Sequence, residues 1–301
     1  MSLFAELFTK DVLGHLHEKT LAPGSSDDVK ALDQVLNGEH RDQQSWRIHF
    51  SAWLDFCRDA GGLNEDRKNR LTKLDSWHAW QQTLNELRVP YFLHRVYGMG
   101  ISYIQAGGAD VKASTANGPL EVEIKTPGEE PPFLNDTNCG FLGKDKKSIT
   151  QNLQQAQKKQ FKKGEQNLLV IAGHCLQTNP VSNDTDLQEA LYGHEVLRFS
   201  IDTQTGKGVG EPTIGFVRDG KLQHNRFTRI GAVLAFQDGR PFRRWECPSG
   251  HQYQCCIYHN PYAEVPVSSE LFRGTKQLIF DNQGRSLWKW ENATNFTFRG
   301  Y

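Results

Sequence analysis

The chain is conspicuous first for what it does not contain. It has no net charge, since 35 Lys and Arg balance 35 Asp and Glu over 301 residues. A protein-wide basic field for holding nucleic acid is therefore absent, and such a partner must be gripped by a local patch. No apolar run reaches roughly 18 residues, so a membrane span is not expected. The first residues, Met1-Ser2-Leu3-Phe4-Ala5-Glu6, place an acid early and lack a basic stretch before a long apolar core, unlike a secretory signal. Six cysteines, at 57, 139, 175, 247, 255 and 256, are scattered without a disulfide framework. A reducing compartment, and with it a cytoplasmic location, is the expectation. A glycine-rich phosphate loop, a Gly-x-Ser-x-Gly elbow and a His-Glu-x-x-His pair are also missing, which removes three common catalytic designs.

What is present suffices for a sizeable core: 37% of residues are hydrophobic and 11% aromatic. Residues 1–95 have helical spacing. Apolar residues recur at that period between Phe4 and Leu16, from Trp46 to Phe56, and along Trp77, Trp80, Leu84 and Leu87. Pro90 is expected to kink or split the third of these helices.

The period then changes. Ile101-Ser102-Tyr103-Ile104 reads as a strand, Gly107-Gly108 as a break, and residues 110–114 as a second strand. Asn117-Gly118 signals a hairpin. Leu120-Glu121-Val122-Glu123-Ile124-Lys125 follows in strict apolar/polar alternation. After a patternless loop over 126–145, a helix is expected from about Lys146 to Lys163, with Ile149, Leu153, Ala156 and Phe161 inward. Leu168-Leu169-Val170-Ile171-Ala172 is the continuous apolar run of a strand buried on both faces. A helix between two strands implies a crossover and a parallel pair. Beyond residue 181 the pattern is one of short strands. The expected class is α/β with a mixed sheet: a helical region over 1–76, a core over 77–180, and a β-rich region over 181–301 packed on the same core.

One constellation carries chemistry. On a strand, residues 121, 123 and 125 share a face, with Glu123 and Lys125 about 6.6–7 Å apart at the Cα level. Asp110 lies 13 residues before Glu123, across the hairpin. Phosphodiester hydrolysis needs carboxylates to hold a hard cation open to substrate and water. It gains further from a fixed cation near the attacking water. Asp110-Val111-Lys112 is a competing acid-x-Lys triplet, but residues 96–109 supply no acid to pair with it.

The order Asp110, hairpin, Glu123-Ile124-Lys125, helix with Gln and Lys, buried strand resembles the PD-(D/E)XK, or restriction-endonuclease-like, nuclease superfamily over about residues 77–173. Ala109 stands where that motif usually has proline. The resemblance implies a restriction-endonuclease-like core and hydrolysis of phosphodiesters, in DNA more than RNA. It implies Mg²⁺, or Mn²⁺, held by Asp110, Glu123 and the Ile124 main-chain carbonyl, with Lys125 orienting or activating the water. Glu86, on the preceding helix, is the implied further metal ligand. In the following helix Gln151, Gln154 or Gln155 are the glutamines on offer.

Residues 144–163 hold seven lysines against one aspartate, a local patch suited to phosphate contacts, with Lys146, Lys147 and Lys158 foremost. A homo-oligomer is compatible with these features. The alternative is a non-catalytic module of the same fold that binds nucleic acid or protein. A third reading is a zinc-stabilised C-terminal part built on Cys247, His251, Cys255, Cys256 and His259, although these lack a Cys-x-x-Cys knuckle.

Overall fold

In the computed structural model, residues 2–39, 41–104, 107–126, 145–173, 186–217, 222, 227–238, 252–281, 287–292 and 297–299 are described. The helical N-terminal region is divided into α1 (Leu3–Leu7), α2 (Lys10–Leu21), α3 (Asp27–Asn37), α4 (Arg41–Asp59), α5 (Glu65–Thr72) and α6 (Trp77–Tyr97). Five of the starts follow from capping: the side chains of Ser2, Thr9, Ser26, Asn64 and Ser76 each accept a main-chain N–H three residues on. The aromatic stripes point inward. Trp46, Phe50, Trp53, Trp77 and Trp80 are buried and pack on one another with Phe4 and Phe8.

Pro90 neither splits nor ends α6, which runs unbroken from Trp77 to Tyr97. A proline at this place leaves the carbonyl four residues earlier without its helical donor. That carbonyl belongs to Glu86, and it accepts the Tyr103 hydroxyl at 3.1 Å instead. The tertiary contact replaces the lost bond, so the helix continues. It stops at Gly98, whose φ of 67° is the left-handed cap that glycine adopts most readily.

The expected hairpins form. Strands β1 (Gly100–Tyr103), β2 (Val111–Thr115) and β3 (Gly118–Lys125) pair antiparallel in sequence. Thr115 pairs with Gly118, so Ala116 and Asn117 occupy the turn and Gly118 carries the positive φ of 100°. Helix α7 (Asp145–Gln155) leads into a π-helical turn, Ala156–Gln160, and ends there, three residues short of Lys163. Strand β4 (Gln166–Gly173) lies parallel to β3, as the crossover requires.

The sheet continues across residue 180. After α8 (Asp186–Tyr192) come β5 (His194–Ile201), β6 (Gly208–Val217), β7 (Ala232–Asp238), β8 (Gln252–His259), β9 (Gln277–Asp281), β10 (Leu287–Glu291) and β11 (Thr297–Arg299). One mixed sheet has the order β1-β2-β3-β4-β7-β8-β9-β10-β6-β5, with β11 against β8. The fold is thus α/β with a mixed sheet. Leu120, Val122, Ile124, Leu168 and Val170 face the N-terminal helices, whereas Leu169 and Ile171 face Ile149, Leu153 and Ala156 of the α7 layer. No helix among the described residues is long and apolar enough to cross a membrane.

Gly231, just before β7, shows how tightly the central strands are set. A methyl there would stand 2.6 Å from Val267 Cγ2, 3.0 Å from the Asn167 carbonyl oxygen and 3.1 Å from that of Val265. Two of these neighbours are backbone and cannot swing away. Gly231→Ala is expected to lower stability by about 1–3 kcal/mol, measured as the shift in urea midpoint. A midpoint equal to that of wild type refutes this packing.

Candidate active site

The strand alternation of β3 puts Glu121, Glu123 and Lys125 on the face shared with Leu169 and Ile171 of β4. The same letters would suit an exposed edge strand, but β3 is interior, with β2 on one side and β4 on the other. Glu121 and Glu123 are consequently buried, with 5% and 2% of their surface exposed. Val111 pairs with Val122, which makes Asp110 and Glu123 next in line across the hairpin.

Asp110 is aimed by its own backbone. Gly107 and Gly108, with φ of 63° and 96°, turn the chain, and the Asp110 N–H then donates to the Val122 carbonyl. Its carboxylate Oδ2 accepts the Ile124 N–H at 2.7 Å. Lys125 places Nζ 2.5 Å from Glu123 Oε1. The other oxygen of Glu123, Oε2, is buried without a hydrogen-bond partner among the described residues. Next to this strand end, Asn85 of α6 donates to Thr126 Oγ1 at 2.7 Å and to the Ala172 carbonyl at 3.3 Å, which ties α6 to both β3 and β4.

The electrostatics follow from the burial. Asp110 is pushed up to about 6, first by loss of water and then by the charge of Glu86, against the opposing pull of the Ile124 N–H and Lys125. Glu123 is pushed up to about 8 by burial and then by Asp110, with Lys125 opposing. Two buried acids with raised proton affinity, and one oxygen unsatisfied among the described residues, are a place that calls for positive charge. A hard divalent cation fits this donor set: the two carboxylates and a main-chain carbonyl from Ile124 supply oxygens, and Mg²⁺ keeps the rest of its shell as water.

The pair also sets a pH dependence with a definite sign. Both folded values lie above the ordinary carboxylate range of about 4. The folded chain therefore retains protons that the unfolded chain has lost, and this pair destabilises the fold as pH rises from about 4 through about 8. Glu123→Gln removes most of that effect. In metal-free urea unfolding, wild-type stability minus variant stability should fall between about pH 5 and about pH 8. A constant difference across that interval refutes the coupling.

Glu86 has other partners than those the resemblance implies. Its carboxylate takes Arg67 Nη2 at 3.0 Å and Arg70 at 2.8 Å on each oxygen. Arg67 in turn lies over the Tyr103 ring and donates to the Gly62 carbonyl. Glu86 is near enough for its charge to act on Asp110 and Glu123. Yet among the described residues no three of His, Cys, Asp and Glu converge as a metal cage. The arginines stand three apart on the short, strongly polar α5. That spacing shows they share a helix face, but not which acid they meet.

The remaining expected residues divide. Gln151, Gln154, Gln155 and Lys158 are exposed on the outer side of the α7 segment. The side chains of Lys146 and Lys147, and the loop residues 127–144, lie outside the described residues. Gln157, one of the glutamines not singled out, accepts the Arg229 N–H at 3.0 Å and serves packing. Trp288 is wedged among Tyr192, Phe216 and Phe280, and Trp290 packs on Tyr258 and Lys276, so both are committed to internal contacts.

Of the Cys/His cluster, Cys247 and His251 lie outside the described residues. Cys255 and Cys256 are free thiols on opposite faces of β8, in different core clusters, and cannot both serve one ion. His259 is held between the Val267 carbonyl and Gln277. No protein-family model matches the chain, and no curated protein and no solved structure matches it significantly.

Proposed function

We propose that this chain is a divalent-metal-dependent nuclease with a restriction-endonuclease-like core of the PD-(D/E)XK type, acting on DNA in preference to RNA. One observation carries the reading: two buried carboxylates stand beside a lysine amine with raised proton affinity, Asp110 through burial and the charge of Glu86, Glu123 through burial and the charge of Asp110, and one oxygen of Glu123 has no partner among the described residues. Sites built to run hydrolysis keep such strained charges where a structural site would neutralise them. When bound, Mg²⁺ or Mn²⁺ supplies Lewis acidity to a phosphoryl oxygen and lowers the pKa of a coordinated water.

The chain's own groups do the rest. Asp110 and Glu123 would hold the cation, with the Ile124 carbonyl as a third oxygen. The Ile124 N–H fixes the Asp110 carboxylate, so little reorganisation is needed on loading. Lys125 holds its charge beside Glu123, where it steadies the attacking water and the negative charge that develops on phosphorus-bound oxygen. A cytoplasmic location belongs to the same reading and agrees with the free thiols of Cys57, Cys255 and Cys256.

The test is cleavage of plasmid, single-stranded DNA and RNA by the purified protein in Mg²⁺ or Mn²⁺, with EDTA controls. Metal-dependent cleavage, faster on DNA, is expected. Intact substrates under all of these conditions leave a non-catalytic binding module as the better description.

A further inference from the structure

Glu121 lies one two-residue step from Glu123 on the same face of β3, and nothing in the hydrolytic centre uses it. Its carboxylate is buried, Oε2 accepts no hydrogen bond, and Oε1 meets Lys162 Nζ at 3.5 Å. A buried acid so thinly satisfied costs stability unless it organises cations around it. Two cations are at hand. Lys162 reaches back from the segment after the π-helical turn, with 69% of its side chain exposed. Lys112 pairs directly across from Glu121 in the β2–β3 register, is exposed, and makes no ion pair among the described residues. The β2 alternation that buries Val111 and Ala113 against the helices sends Lys112 to the face of the catalytic acids.

We propose that Lys112 and Lys162, set around Glu121, form a phosphate-binding track for the nucleotides next to the scissile bond. This rests on the nuclease reading and extends it to the path of the substrate strand. Two lysines against one carboxylate leave a net positive strip about 6.6–7 Å from the Glu123 position, one strand repeat away. Lys162, exposed but held to Glu121, and Lys112, exposed and without an ion pair among the described residues, each offer a point charge to a backbone oxygen. Such contacts position nucleic acid without reading its sequence.

The experiment is equilibrium binding of a fluorescent single-stranded oligonucleotide and of its duplex, in EDTA to prevent cleavage, over a series of KCl concentrations. Lys112→Ala and Lys162→Ala should each reduce the slope of log affinity against log salt by about 0.7–0.9, and the double variant by about twice that. Lys162→Arg should keep the wild-type slope, and Lys73→Ala, at the C-cap of α5, should leave it unchanged. Because Lys112 is exposed and makes no ion pair among the described residues, its variant is not confounded by misfolding.

Unchanged slopes in both single variants overturn the track, as does the absence of binding to either oligonucleotide. Cleavage of DNA by wild type in Mg²⁺, run in parallel, reports on the nuclease reading alone. Cleavage with unchanged slopes removes only the track; reduced slopes without cleavage remove only the nuclease.

Discussion

Lys125→Met is expected to lower Mg²⁺-dependent cleavage by about 10²–10⁴-fold, the range typical for one positioned acid–base group, while leaving the fold and substrate affinity near wild type. The side chain is 17% exposed, so methionine can retain the packing of its aliphatic stem and delete only the charge. What disappears is the cation beside Glu123 and the attacking water. Glu123 also loses the lysine charge that favours its ionised form, so its proton affinity rises further. Two effects are therefore superposed, and they separate in a Mg²⁺ titration. A loss that persists at saturating Mg²⁺ belongs to the transition state. A loss that high Mg²⁺ restores belongs to ion binding, and would reassign Lys125 from catalysis to tuning of the carboxylates. A folded variant that cleaves as fast as wild type refutes both roles.

Glu86→Ala is expected to cost about 3–5 kcal/mol of stability, the usual penalty for stripping one partner from a buried ion pair. The reason lies in what remains. Arg67, only 9% exposed, would be left charged against the Tyr103 ring with no carboxylate to meet it. Arg70, partly solvated, keeps Asp66 and suffers less. The cost should be strongly non-additive with Arg67→Ala, because each single change leaves the other charge stranded. Chemical unfolding of the two single variants and the double variant measures this. A Glu86→Ala protein as stable as wild type but needing much more Mg²⁺ for cleavage would instead give Glu86 the ligand role that the family resemblance implies. Both outcomes are readable from the same proteins.

These two residues mark the boundary between what local pattern conveys and what it cannot. Lys125 was legible. Strand alternation alone places it on the face of Glu123, and the Asn117-Gly118 signal alone brings Asp110 across from them. Glu86 was legible only as an acid on a helix. Its partners come from α5, a short polar helix whose apolar stripe is too weak to announce its packing face. Gln151, Gln154 and Gln155 are exposed on α7, and the letters alone do not select among them. Helical period shows that Ile149, Leu153 and Ala156 point one way, but not where a site lies around the remaining arc.

The sequence by itself determined the elements that have a strong period or a specific turn: the aromatic helices, the three-strand meander, the crossover and the parallel return of β4. It also determined the cofacial set Glu121, Glu123 and Lys125, because a period of two admits no other arrangement on a strand. Only the tertiary structure decided that this face is buried. An edge strand and an interior strand can carry the same letters, and the difference is made by β4 and the α7 segment, which arrive from more than twenty residues away. That burial raises both acids and leaves Glu123 Oε2 unsatisfied among the described residues, which an exposed row of the same charged residues would not do. Pro90 teaches the same lesson in reverse: a local helix breaker is tolerated because the hydroxyl of Tyr103, from another element, takes up the carbonyl it abandons.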